Sequence, residues 1–151
     1  MNTRQGQPTV VIVGAGFGGL RLARALSSAP VKVILVDRRN YHLFQPLLYQ
    51  VATAGLSPGE IAHPVRAILR GQANLEFRLA EVQAVDFASC QLRTSTGDIH
   101  YDFLVLAIGS QTSYFGLENI ARHSFGWKDI HEASAIRNHI LRQFELAAQE
   151  E

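Results

Sequence analysis

The 151-residue chain contains a single cysteine, Cys90. No disulfide framework can form within it, which fits a reducing compartment. Charge of one sign is also lacking. The 14 Lys and Arg stand against 13 Asp and Glu, for a net charge of +1, so nothing electrostatic points to nucleic acid as a partner. The six histidines (His42, His63, His100, His123, His131 and His139) show no ligand-like spacing, and no metal site is expected. No Gly-Lys-Ser/Thr follows the glycine-rich loop near the start, which excludes a P-loop, and no G-x-S-x-G elbow occurs. The longest stretch without a charged side chain, Asn40 to Gly59, has spanning length. It also holds Pro46, Pro58, His42, Gln45, Gln50 and Gly55, which argues against a transmembrane helix. The polar opening "MNTRQGQPT" leads into a segment too rich in glycine for the apolar core of a signal peptide. Repeats and low-complexity runs are absent, and no composition shift marks a domain boundary. A chain of this length can bury roughly 68–70% of its unfolded surface, enough for one ordinary domain.

The apolar, β-branched run "TVVIV" (Thr9 to Val13) predicts a strand buried on both faces of a parallel sheet. Phe17 to about Ser28 follows with helical spacing, Leu20, Ala23 and Leu26 on one side, and Pro30 closes it. "VKVILV" (Val31 to Val36) predicts the second strand. Residues 40–59 read mostly as loop from their Pro and Gly content. "SPGEIAHPVRAIL" predicts a helix starting at Ser57, with Pro58 in its first turn and a kink at Pro64. Arg66 and Arg70 then read as its solvated face. Short strand-like pieces over residues 75–102 predict a small antiparallel meander. "FLVLAIG" (Phe103 to Gly109) predicts a fully apolar strand returning to the main sheet. In the helical tail from Glu132, the residues Ala133, Ile136, Ile140, Phe144 and Ala147 form one apolar stripe. Phe125 and Trp127 read as core.

The chemistry lies in the order strand, G-x-G-x-x-G, helix, strand, acid. Gly14 permits the tight turn out of the strand. Gly16 lets a pyrophosphate approach the backbone, and Gly19 lets the helix pack closely against the sheet. The helix N-terminus at Phe17 to Gly19 offers N–H groups and the positive end of a dipole to phosphates. Asp37, at the tip of the second strand, can accept hydrogen bonds from both hydroxyls of an adenosine ribose. The motif alone is weak; its placement between strand and helix, with the acid at the next strand end, makes it a dinucleotide site. An acid at Asp37 disfavours a 2′-phosphate, whereas Arg38 and Arg39 could hold one. NAD and FAD present the same adenosine ribose, so the loop does not separate them.

Three stretches settle that choice by likeness. "VVIVGAGFGGLRLARAL", "VDRRNYHLFQPLLYQVATAGLSPGEIAHPVR" and "YDFLVLAIGSQTSYFG" resemble the amino-terminal part of type II NADH dehydrogenases. These are single-subunit, non-proton-pumping NADH:quinone oxidoreductases of the two-dinucleotide-binding flavoproteins. The resemblance covers essentially the whole chain, including "SFGWKDIHEASAIRNHI". It implies an α/β fold of Rossmann-like, three-layer type, with a parallel central sheet and a small antiparallel β-meander. It implies FAD as cofactor, NADH and a quinone as substrates, and electron flow from NADH through the flavin to the quinone.

Carried onto this chain, Gly14, Ala15, Gly16, Phe17, Gly18 and Gly19 would cradle the FAD pyrophosphate. Asp37 would hold the ribose, with Arg38 beside the adenine. "AEV" nominates the backbone of Val82 as an adenine contact. "LAIGS" matches the second flavoprotein signature with Ile108 in place of its threonine, and keeps Gly109 where the backbone passes the cofactor. His42 is a candidate contact on the flavin side, weighed equally against a structural role. No catalytic side chain is nominated. Disulfide reductases of the superfamily carry a C-x4-C pair after the first strand–helix–strand; "NYHLFQPLLYQ" stands there instead, so these residues hold no thiol pair for a disulfide relay. The resemblance further implies that residues 1–151 are the first portion of a discontinuous FAD-binding domain. The NADH-binding domain and the carboxy-terminal segment would lie outside them. It implies peripheral association with the cytoplasmic face of the inner membrane in the complete protein, and admits a homodimer. A related flavin-dependent oxidoreductase with another acceptor and a non-catalytic dinucleotide-binding module are the alternatives.

Overall fold

The computed structural model describes residues 6–149. Along the chain the elements are β1 (Thr9–Val13), α1 (Phe17–Ala25), β2 (Lys32–Asp37), β3 (Tyr41–Leu43), α2 (Leu48–Ala52), β4 (Ala62–Pro64), α3 (Val65–Ile68), β5 (Leu75–Leu79), β6 (Val82–Asp86), β7 (Gln91–Thr94), β8 (Gly97–His100), β9 (Phe103–Leu106), α4 (Glu118–Arg122) and α5 (Ile130–Ala147). They fall into two compact units. The first holds the chain as far as His42 together with Pro64–Gly109; the second holds Leu43–His63 and the chain from Ser110 onward. Composition gives no sign of this division, because each unit is assembled from separate stretches of similar apolar content.

In the first unit β1, β2, β5 and β9 form a parallel sheet in the order β5-β2-β1-β9. Register is set by pairs such as Val11 with Ile34 and Ile12 with Leu35 on one side, and Ile12 with Val105 on the other. Alternate residues of the apolar runs enter different layers. Val10, Ile12, Val33, Leu35 and Phe77 pack against Leu20 and Ala23 of α1 and against Val65 and Leu69. Val11, Val13, Ile34 and Val36 pack against Leu92, Ile99 and Tyr101, which the antiparallel meander β6-β7-β8 brings to the opposite face. The result is the expected three-layer α/β architecture. Strands covered on both faces need apolar residues at every position, and this explains their unbroken runs. β9 departs from that expectation. At one edge of the sheet, it leaves Phe103 and Leu106 more than half exposed.

In the second unit α2 and α5 pack around Leu48, Val51, Ala52, Ile61 and Ala133. α5 starts at Asp129, whose carboxylate accepts from the Glu132 N–H at 3.0 Å. The apolar stripe of α5 is covered only near its start: Ala133 is buried and Ile136 packs on the core, while Ile140 and Phe144 are exposed. Phe125 and Trp127, expected in the core, are each 50% exposed; Phe125 rests against the His139 ring instead.

The helix expected from Ser57 through Pro64 does not form. Pro58–Glu60 makes one 3-10 turn, closed reciprocally by the side chains of Ser57 and Glu60. Residues 62–64 then run as β4, and Pro64 stands at the N-cap of α3. Pro64 lacks an N–H and disfavours helical geometry at His63, so a helix from Ser57 cannot run through it unbroken. Arg66 is likewise not a bare solvated side chain. Its Nη2 donates to the Phe77 carbonyl at 3.0 Å, and its guanidinium lies 5.1 Å from the centre of the Phe77 ring. No helix among the described residues is long and apolar enough to cross a membrane.

Candidate dinucleotide site

The strand order places β1 between β2 and β9. From β1 the chain moves outward to β2 and then β5, and β9 returns to the other side of β1. Strand order thus reverses at the carboxyl ends of β1 and β9, which is where open α/β sheets bind ligands. The glycine loop lies at that point. Gly14 adopts φ of +105°, a conformation that side chains disfavour, and its N–H donates to the Val36 carbonyl at 2.8 Å. A β-carbon on Gly14 would run into the carbonyl of Ala107, just beyond β9. The two backbones are therefore in direct contact across the switch point.

Gly16 is the N-cap of α1. No side chain caps this end, and the first turn carries no acid. The positive end of the α1 dipole is thus offset by no acidic side chain of the helix's own first turn. Gly16, Phe17 and Gly18 are exposed. A β-carbon at Gly16 would meet no protein atom within 4 Å. This glycine is therefore not needed for packing; it leaves open the space a phosphate group needs to reach the backbone. Gly19 behaves differently, since a β-carbon there would strike the Gly14 carbonyl. The donor set and the cleared space fit the pyrophosphate of an adenine dinucleotide.

Asp37 lies at the end of β2, on the same edge. Its Oδ2 accepts from the Ala15 N–H at 2.6 Å and its Oδ1 from the Arg39 N–H at 2.8 Å. The carboxylate thus secures the loop, and each oxygen retains further acceptor capacity. Arg38 is exposed beside it. The Asp37 carbonyl receives the Ala80 N–H at 2.9 Å, which brings the end of β5 alongside. Val82 follows two residues later, half-buried at the start of β6 and paired with Thr94. Gly109 is exposed with φ of +71°, beyond β9 and past Ala107. The first unit therefore collects the loop, Asp37, Arg38, the β5–β6 link and the segment after β9 along one edge of the sheet.

His42 is brought to the loop itself. Its Nδ1 lies 3.1 Å from the Ala15 carbonyl oxygen, and its ring stands edge-on to Phe17. Two contacts escaped sequence reasoning. One is the His42 hold on Ala15, which joins residues 27 apart; nothing in local spacing could signal it. The other is the backbone contact of Ala107 with Gly14, foreshadowed only by the small residue in "LAIG". Among the described residues no His, Cys, Asp and Glu cluster could hold a metal ion. Cys90, the one thiol, is exposed in the turn between β6 and β7.

Known proteins resemble this chain in sequence and in fold. The chain is 46% identical over 146 residues to the type II NADH:quinone oxidoreductase NdhA of Mycobacterium tuberculosis, covering 94% of this chain and 31% of that protein. Among solved structures, it superposes on the sulfide:quinone oxidoreductase of Aquifex aeolicus with a TM-score of 0.82 and 26% identity, covering 91% of this chain and 32% of that one. It shares the fold of NDH2 from Plasmodium falciparum in complex with NADH, with a TM-score of 0.84 and 24% identity over 94% of this chain and 30% of that one. The chain spans about a third of the length of the curated relatives it matches. The sequence profile of one family, the pyridine nucleotide-disulphide oxidoreductases, matches residues 8–146, an interval holding both the glycine loop and the sheet that presents it, and to that family the chain belongs.

Proposed function

We propose that the protein is a FAD-dependent oxidoreductase that oxidises NADH and reduces a quinone. The observation that carries this reading is the likeness to a type II NADH:quinone oxidoreductase across nearly the whole chain, glycine loop included. The first unit supports it by offering a cleared pyrophosphate cradle at the switch point of its sheet. The stretch Asn40 to Gln50 supports the choice of acceptor. It holds no cysteine, and Cys90 alone cannot form a dithiol relay.

FAD, when bound, would supply the two-electron chemistry. The residues of this chain bind and orient. The backbone around Gly16 and the start of α1 would hold the pyrophosphate, with the helix dipole offsetting its charge. Asp37 would hold the adenosine ribose, Arg38 would lie beside the adenine, and the backbone at Val82 would meet its edge. Gly109 would let the chain after β9 pass the cofactor. On this reading the described fold is the amino-terminal portion of the FAD-binding domain, and the protein works as a peripheral membrane enzyme on the cytoplasmic face. Homodimerisation belongs to the same proposal.

The test is steady-state NADH oxidation by the purified complete protein, with the NADH-binding and carboxy-terminal parts this reading requires, using a soluble menaquinone or ubiquinone analogue, alongside the flavin content of the same preparation. Quinone-dependent turnover with about one flavin per chain is expected. A flavin-free protein, or one that reduces ferricyanide but no quinone, would sink the proposal.

A further inference from the structure

The two glycines that open the loop flank Ala15, and side chains hold both backbone groups of Ala15. Asp37 Oδ2 accepts from its N–H at 2.6 Å, and His42 Nδ1 lies 3.1 Å from its carbonyl oxygen. A carbonyl can only accept, so His42 donates and Nδ1 carries the proton. The neutral Nδ1–H form and the imidazolium both meet that requirement. The ring of His42 also stands edge-on to Phe17, with centroids 4.9 Å apart at an interplanar angle of 89°. His42 therefore touches the residue on each side of Gly16.

The consequence comes from peptide geometry. The carbonyl that His42 holds belongs to the Ala15–Gly16 peptide, whose other polar group is the Gly16 N–H. In a planar trans peptide the two point in opposite directions. Fixing the Ala15 oxygen toward His42 fixes the Gly16 N–H away from it. Without that hold the peptide could turn over cheaply, because Gly16 has no β-carbon to resist the change of φ. Asp37 does not prevent such a flip, since it holds the preceding peptide, the one carrying the Ala15 N–H.

We propose that His42 is a positioning residue for cofactor binding: by donating from Nδ1 to the Ala15 carbonyl it aims the Gly16 N–H at the pyrophosphate. This rests on the dinucleotide reading of the loop. His42 acts here through the backbone and need not touch the cofactor.

Two substitutions separate the donor from the ring. His42→Asn keeps an N–H donor near the position of Nδ1 and removes the ring. His42→Phe keeps a ring against Phe17 and removes the donor. The measurement is the FAD dissociation constant of the apoprotein by flavin fluorescence, with the thermal midpoint of each apoprotein beside it. His42→Phe should bind FAD about tenfold more weakly, and His42→Asn should stay within about threefold of the parent, the difference expected for one hydrogen bond. The reverse order, or equal affinities for the two variants, would overturn the proposal and leave His42 a packing residue. Gly16→Val serves as the control. If it loses FAD while both His42 variants bind as the parent does, only the role of His42 fails. If it keeps normal FAD, the dinucleotide reading fails with it.

Discussion

Gly19 sits directly against the carbonyl of Gly14. A β-carbon on Gly19 would overlap that oxygen, and it would come within 3.4 Å of Ile12 Cγ2. Gly16, three residues earlier, has φ of −74°, which any residue can adopt, and open space around it. The two glycines therefore fail in different ways. Gly19→Ala should destabilise the fold itself by several kcal/mol, because the colliding atom is backbone and cannot move aside. Gly16→Val should leave the apoprotein within about 1 kcal/mol of the parent, an ordinary N-cap change, yet abolish FAD retention. Thermal melts of the two apoproteins with flavin content beside them make the comparison. A Gly16→Val variant that melts as early as Gly19→Ala would contradict it.

Asn74, just before β5, organises the chain end of α1 and the turn into β2. Its Nδ2 lies 2.9 Å from the Leu26 carbonyl, 3.1 Å from that of Val31 and 3.3 Å from that of Ala29. Gln72 adds a bond to the Ala23 carbonyl at 2.8 Å. Of these carbonyls only that of Ala23 belongs to the last turn of α1; the other three lie in the turn between α1 and β2. Asn74→Ala removes the donor shared by three half-buried acceptors and should cost about 1–3 kcal/mol. Asn74→Asp should cost more, since a carboxylate would face carbonyl oxygens. Equal denaturation midpoints for Asn74→Asp and the parent would refute this.

Among the described residues, three carboxylates are held below their ordinary range. For Glu76 the main cause is the hydrogen bond from Arg78 Nε at 2.6 Å, with Lys32 also near. For Glu60 it is the Ser57 backbone N–H at 2.6 Å, and for Asp86 the Ser89 N–H. A carboxylate whose pKa is lower folded than unfolded contributes its full stability above the ordinary value. That stability is lost as pH falls through the folded value, because the unfolded chain takes up the proton first. The window thus opens at 4.5 for the two glutamates and 3.8 for Asp86, and extends downward. Glu60, Glu76 and Asp86 lie near the surface, so each effect is small and screened by salt. Thermal midpoints should fall as pH drops below about 4.5, and Glu76→Gln should flatten that slope. An unchanged slope in Glu76→Gln would rule out its share.

What could be read from the sequence was whatever repeats along a strand or sits in a short motif. The apolar runs of β1 and β2 announce strands covered on both faces, Gly14 announces the turn from β1 into α1, and Asp37 marks the end of β2. The pieces that misled share one cause, which is that partners distant in sequence decide them. Pro64 could mark a kink or a break, and the break won because residues 62–64 run as β4, paired with β3. The stripe of α5 has correct helical spacing, but spacing does not tell how far α2 extends beneath it. His42 reads equally as ligand contact or scaffold until the fold brings it to Ala15.

Arg66 is the sharpest instance, and it leads to the last prediction. Spacing to Arg70 suggests a solvated face, whereas the fold sets the Arg66 guanidinium over the Phe77 ring and sends Nη2 to the Phe77 carbonyl at 3.0 Å. Phe77 is a buried member of the core between sheet and helices. Arg66 thus ties α3 to β5 from outside by both a stacking contact and a hydrogen bond. A planar guanidinium can stack and donate together, whereas an ammonium is a compact point charge. Arg66→Ala should therefore cost about 1–2 kcal/mol, and Arg66→Lys should recover less than half of it. Arg70→Ala, on the same short stretch, should lie within about 0.5 kcal/mol of the parent, as surface changes do. Chemical denaturation of the three variants gives the ranking, and an Arg66→Ala midpoint equal to that of Arg70→Ala would return Arg66 to the solvated face.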